Sequence, residues 1–203
     1  MRPARLVRWG GLGAVLGGAL WSAWAVMVAR KPEGCVGSAC DLPDRSVRGY
    51  GDLLSVLAAA VLLIAAGGAG LVLRARAAGR FGRLGRWGLG IGVSGAAVLA
   101  AAVLVQEIAY GGDFPHMPIA VIPAVLALSV GFLLFAVSVL RVVPRWAGAG
   151  LIVGALALLG VNDQNARILL AVPFGIGWMG IGYALWASRG EDLASAPEVV
   201  GRP

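Results

Sequence analysis

Long apolar runs alternate with short polar interruptions along the whole chain. The runs fall near 9–29, 53–73, 87–109, 119–140, 146–161 and 168–187. All but the fifth are roughly 20 residues or longer, which at 1.5 Å rise per residue crosses a hydrocarbon core about 30 Å thick. The fifth reaches only about 24 Å by the same rise. It is expected either to extend into Asn162–Asn165 or to be shielded by its neighbours. No run alternates apolar and polar residues with period two, as the strands of a membrane barrel must. A helix in lipid satisfies its own backbone hydrogen bonds. The pattern therefore predicts an all-α polytopic membrane bundle of six transmembrane helices over residues 1–189, with a short polar tail at 190–203. The apolar part of the first run is too long for the core of a secretory signal and contains Trp21 and Trp24, so it reads as an uncleaved first helix.

The polar interruptions carry a second pattern. Runs one, three and five each open with Arg-Trp: Arg8-Trp9, Arg86-Trp87 and Arg145-Trp146. Arginine holds to headgroups and tryptophan sits in the interfacial belt, so these pairs are expected to be membrane anchors. Runs two, four and six close on arginines of the same side, Arg74, Arg141 and Arg189. The chain thus reads as three helical hairpins. Small residues extend the match: Gly13 and Gly17 follow Trp9 at +4 and +8, Gly150 and Gly154 follow Trp146 likewise, and Gly95 follows Trp87 at +8. Small residues four apart let helices approach closely, within one chain, with a membrane-protein partner or in a homo-oligomer built on Gly-rich helix faces. Two readings stand here, a threefold repeat and independent topology signals.

Composition and charge sharpen the class. The chain is 59% hydrophobic and 13% charged, too apolar for the surface of a soluble domain of this length. Its charge of +7 comes from sixteen arginines and one lysine, gathered in loops between apolar runs. That placement favours an anionic leaflet over nucleic acid. The arginine bias, with abundant Gly and Ala, fits a GC-rich bacterial genome. Arg2, Arg5, Arg8, Arg74, Arg76, Arg80, Arg83, Arg86, Arg141, Arg145, Arg189 and Arg202 fall on one side, leaving five basic residues on the other. The positive-inside rule then places both termini in the cytoplasm of a cell membrane.

Candidate chemistry is confined to the opposite, outer loops. The longest, 30–52, holds Cys35 and Cys40. On an oxidising face the pair is expected to form a disulfide, stapling a small ring worth about 2 kcal/mol. Its Cys-x4-Cys spacing departs from the Cys-x-x-Cys of thiol oxidoreductases, and two thiols alone are too few for a zinc site. Asp52, Glu107, Asp113, His116 and Asp163 are the other outer-face candidates, able to form a metal or proton-sensitive site only if the fold brings them together. Glu107 lies about 30 Å along its helix from Trp87, at the edge of the hydrocarbon. The loop 161–167 is expected to close a hairpin or line a vestibule. Gly175, Gly177 and Gly180 spell G-x-G-x-x-G, but without a preceding strand they read as helix-packing positions, with kinks expected at Pro123 and Pro173.

What the apolar runs lack weighs as much. No Asp, Glu, Lys, Arg or His stands at mid-depth, where proton relays and ion coupling place them. The single Lys31 is in a loop, so no buried Schiff base is available, and the single His116 cannot ligate haem within the bundle. Ser22, Ser55, Ser94, Ser129 and Ser138 have no histidine at their depth to activate them. The expectation is a non-enzymatic accessory, scaffold or sensor component of the bilayer, with no cofactor, no metal and no nucleic-acid partner. The alternative is a carrier or channel for a neutral or apolar solute.

Overall fold

In the computed structural model, residues 3–35, 46–49, 51–110 and 117–188 are described. Six helices form where the apolar runs stand: α1 Pro3–Ala29, α2 Leu54–Ala77, α3 Arg83–Ala109, α4 Met117–Val139, α5 Arg145–Ala157 and α6 Val172–Ala187. No strand occurs among the described residues, and the architecture is an all-α bundle. With their flanking turns, α1, α2, α3, α4 and α6 are long and apolar enough to cross a membrane. The expected extension of the fifth run does not occur. A 3-10 turn at Leu158–Gly160 ends α5, and Val161 is already extended. Instead α5 is flanked by α4 and α6. Nor does Pro173 kink a helix. It lies in the first turn of α6, where its missing N–H has no intrahelical partner to lose, and a 3-10 stretch at Ala166–Ala171 leads into it. Pro123 lies inside a continuous α4.

The helices pack in the order α2, α1, α6, α5, α4, α3. Hairpin α5–α6 therefore sits between hairpins α1–α2 and α3–α4. The helices α2 and α3, although joined by the short turn at 78–82, do not pack along their lengths. That turn is closed by Gly79 at φ +64, a left-handed position that suits glycine. Its N–H donates to Arg76 O at 2.9 Å and Arg80 N–H to Ala75 O at 2.9 Å, which satisfies the last carbonyls of α2.

Glycine sets the helix separations. A Cβ at Gly17 would lie 2.7 Å from Ile64 N on α2, one at Gly95 would lie 2.5 Å from Leu128 N on α4, and one at Gly154 would lie 2.5 Å from Phe174 Cα on α6. These are the +8 positions of the three Arg-Trp motifs, and each faces the next helix in its own hairpin. The neighbours of the tryptophans repeat the pattern: Gly10 meets Gly70 of α2, Gly88 meets Phe135 N of α4, and Ala147 approaches Gly180 of α6. The tryptophans themselves turn away, with Trp9, Trp87 and Trp146 exposed at 62%, 69% and 57%. The three odd helices thus share one packing register.

Two helices carry a second close face. Gly11 and Gly18 of α1 meet Gly182 and Gly175 of α6, while Gly177 of α6 meets Gly150 of α5. The glycines of the G-x-G-x-x-G string therefore divide between two neighbours. Aromatic rings fill the centre. Phe132 of α4 stacks edge-on against Phe174 and Trp178 of α6, at ring-centroid distances of 5.1 and 5.9 Å. Trp21 of α1 reaches Phe174 at 5.4 Å and donates from Nε1 to Ala171 O at 3.0 Å.

Candidate functional site: a polar cap joining two hairpins

One end of the bundle carries Arg8, Arg86 and Arg145. The other is closed by the segment after α1 and the turn between α5 and α6. The cap begins with an unmet backbone need. Past the C-terminus of α1, carbonyls have no helical N–H to accept from, and the helix dipole leaves that end partially negative. A cation is favoured there, and Arg48 supplies it. Its side chain is 5% exposed. Nη2 donates to Lys31 O at 3.1 Å and Nε to Pro32 O at 2.8 Å, both just beyond α1. Nη1 donates to Asp163 O at 2.9 Å and Asn165 O at 3.3 Å, in the turn between α5 and α6. A planar guanidinium can address several acceptors in different directions, which an ammonium on a single atom cannot do as well.

Gln164 completes the joint from the other side. It is buried. Its Oε1 accepts from Arg48 N–H at 2.7 Å, and its backbone carbonyl accepts from Gly34 N–H at 2.8 Å. Its own N–H donates to Asn162 Oδ1 at 2.9 Å, while Asn165 Oδ1 accepts from Arg167 N–H at 2.8 Å. These local side-chain bonds hold the turn in shape. Gly34 is required by proximity, since a Cβ there would collide with Gln164 Oε1 and stand 2.5 Å from Arg48 N. The cap is thus a polar joint between the first and third hairpins.

The expected site residues distribute around this joint. Asp52 is exposed and pairs with Lys31 Nζ at 2.5 Å, and Lys31 Nζ also donates to Gly49 O at 3.0 Å. Asp163 contributes its carbonyl to Arg48. Glu107 is half-buried in the last turn of α3, with Oε2 2.9 Å from where a Cβ on Gly51 would stand. Its Oε1 is enclosed without a hydrogen bond. Glu107 therefore lies beside the Gly51–Asp52 turn, while Asp163 stands in the turn between α5 and α6 that Arg48 ties down. Asp113, His116 and Cys40 lie outside the described residues. Cys35 is buried, and its backbone N–H donates to Ser46 O at 3.2 Å. No group of three or more His, Cys, Asp or Glu able to hold a metal occurs among the described residues.

Arg48 and Gln164 are the two residues that sequence reading missed. A signal was present for the first. Arg48 stands in a loop on the arginine-poor side of the chain, where a basic residue needs a reason other than topology. Gln164 had no comparable signal, because its role exists only once the two loops meet. Ser55 and Ser94, expected inside, are exposed on α2 and α3. No family model, curated protein or solved structure matches the chain.

Proposed function

We propose that the chain is a multi-pass protein of the cell membrane, with both termini in the cytoplasm, and a non-enzymatic accessory, scaffold or sensor component that presents its capped end outside. The observation that carries this reading is how the interior is filled. Glycine backbones touch backbones between helices, aromatic rings occupy the centre, and the one buried ionised side chain among the described residues, Arg48, is engaged by carbonyls at one end. Such an interior offers neither a proton relay nor a nucleophile with its base. The periphery supports the membrane placement, because Leu62, Ile108 and Ile119 project fully outward on long apolar helices. In this reading the Cys35–Cys40 disulfide staples the loop that Arg48 anchors.

One observation favours the carrier alternative. Ser129 Oγ on α4 and Trp178 Nε1 on α6 are buried without hydrogen-bond partners, near the middle of their helices. Unmet polar atoms at that depth would suit transient contact with a neutral polar solute. Proteoliposome swelling with glycerol, urea and small sugars tests the choice. The scaffold reading expects swelling equal to protein-free vesicles of the same lipid. Saturable solute entry that Trp178→Phe abolishes would replace it with the carrier.

A further inference from the structure

The basic end of the bundle carries a charge that no carboxylate among the described residues neutralises. Arg74, Arg76, Arg80, Arg83 and Arg86 crowd the end of α2, the turn and the start of α3, and Arg141 and Arg145 stand at the next turn. No Asp or Glu lies among the described residues at this end, and the one ion pair in those residues, Lys31–Asp52, is at the opposite end. The fold draws these cations together. Arg80 Nη1 donates to the carbonyl of Arg141, tying the two turns. The Arg76 guanidinium lies 5.3 Å from the Phe81 ring centroid, and that ring packs against Gly85 in the first turn of α3. Arg76 is thereby held at the junction of α2 and α3, and Arg83 begins the helix beside it.

Below this junction α2 and α3 do not pack along their lengths. On the outward face of α2, Leu62, Ala69 and Leu73 are exposed and lead as one helical stripe up to Arg76. A cationic head over an apolar helix face matches one chemistry, an anion carried on hydrocarbon chains. We propose that the outward face of α2 beneath the α2–α3 turn binds an anionic phospholipid, its phosphate held by Arg76, Arg80 and Arg83 and its acyl chains lying along the Leu62–Leu73 stripe. Zwitterionic lipid is disfavoured because its headgroup brings a cation to a site already in excess of positive charge. Free phosphate is disfavoured because it leaves the apolar stripe uncovered. The proposal rests on the membrane placement above.

Native mass spectrometry of the full chain in neutral detergent tests it. Phosphatidylglycerol and phosphatidylcholine of identical acyl chains compete at equal concentration, with soluble glycerol phosphate in a third arm. The expected result is one retained phosphatidylglycerol per protein in clear preference to phosphatidylcholine. Arg76→Gln and Arg83→Gln should each lower retention about fivefold, the effect of about one arginine near an anionic headgroup. Arg5→Gln, at the same end but on α1, should leave retention unchanged, and Ala69→Trp should reduce it by occupying the stripe without altering charge. Equal retention of both lipids, an equal loss with Arg5→Gln, or displacement by glycerol phosphate at matched concentration would overturn the proposal. Release of the protein from membranes by alkaline carbonate without detergent would instead overturn the membrane placement, a separate failure.

Discussion

Replacing Arg48 with alanine isolates the polar cap from the rest of the bundle. Four N–H···O=C bonds leave with the guanidinium, two to carbonyls beyond α1 and two to carbonyls of residues 163 and 165. The first two acceptors lie at the bundle end, where water replaces the lost donor. The second two bridge hairpins, and a water cannot restore that link. At about 1.5 kcal/mol for each charge-assisted bond, the uncompensated loss is about 3 kcal/mol. The amide that reads this loss is Gly34 N–H, which donates to Gln164 O across the same joint. Hydrogen exchange resolved to that residue in detergent should accelerate on the order of 100-fold in Arg48→Ala, since 1.4 kcal/mol is a factor of ten. Mid-helix amides such as Ala14 should keep their protection. Arg48→Lys should fall between, because it retains the charge and loses the planar fork. Exchange at Gly34 within threefold of the parent, in a protein whose mid-helix amides remain protected, would refute the claim that Arg48 joins the hairpins.

Glycine contacts make a paired prediction. A Cβ at Gly131 would collide with the backbone of Gly92, so Gly131→Val should cost more than about 3 kcal/mol and abolish a monodisperse, heat-cooperative species on size exclusion. Gly90 has nothing within 4 Å of its Cβ position, and Gly90→Ala should leave the melting temperature unchanged or raise it, by up to about 1 kcal/mol in stability. Trp21→Phe keeps the ring contact with Phe174 and loses the bond to Ala171 O, which should lower stability by about 1 kcal/mol on a denaturant titration. A membrane-impermeant maleimide on intact cells should label Cys35 and Cys40 only after reduction. Labelling without reduction would remove the disulfide, and labelling that appears after reduction only once the cells are permeabilised would reverse the proposed orientation.

Much of the fold could be read from the chain because lipid-like segments leave few alternatives. Apolar runs of sufficient length become helices, since their backbone groups have no other donors and acceptors nearby. The Arg-Trp motif fell within the first two turns of each odd helix, at the very start only in α5, and its +8 glycines turned out to be contact positions in every hairpin. What the motif could not supply is the order in which hairpins pack. That order depends on second glycine faces, Gly11 and Gly18 on α1 and Gly175 and Gly182 on α6, whose spacing resembles that of their neighbours on the sequence. The cap was less legible still. Charge and acidity drew attention to Asp52, Glu107 and Asp163, whereas the joint is made by an arginine and a glutamine addressing backbone carbonyls. Carbonyls are present at every residue, so no sequence pattern announces which will be left over when two loops meet.

The second close face of α1 also sets a timetable. Trp21 and its acceptor Ala171 are 150 residues apart in the chain. At ribosomal speeds of roughly 5–20 residues per second, the first hairpin, complete at Ala77, waits on the order of 5–20 s before α6, the helix that covers Gly11 and Gly18, is finished at Ala187. During that interval its bare glycine groove is open to any helix that happens to drift past, and hairpin α3–α4 is released before the hairpin that packs between it and the first. The chain therefore cannot mature from front to back. Its earliest segment is among the last to be fully covered, and a delay or truncation before α6 would leave the first hairpin without the helix that packs on α1 rather than a smaller version of the same protein.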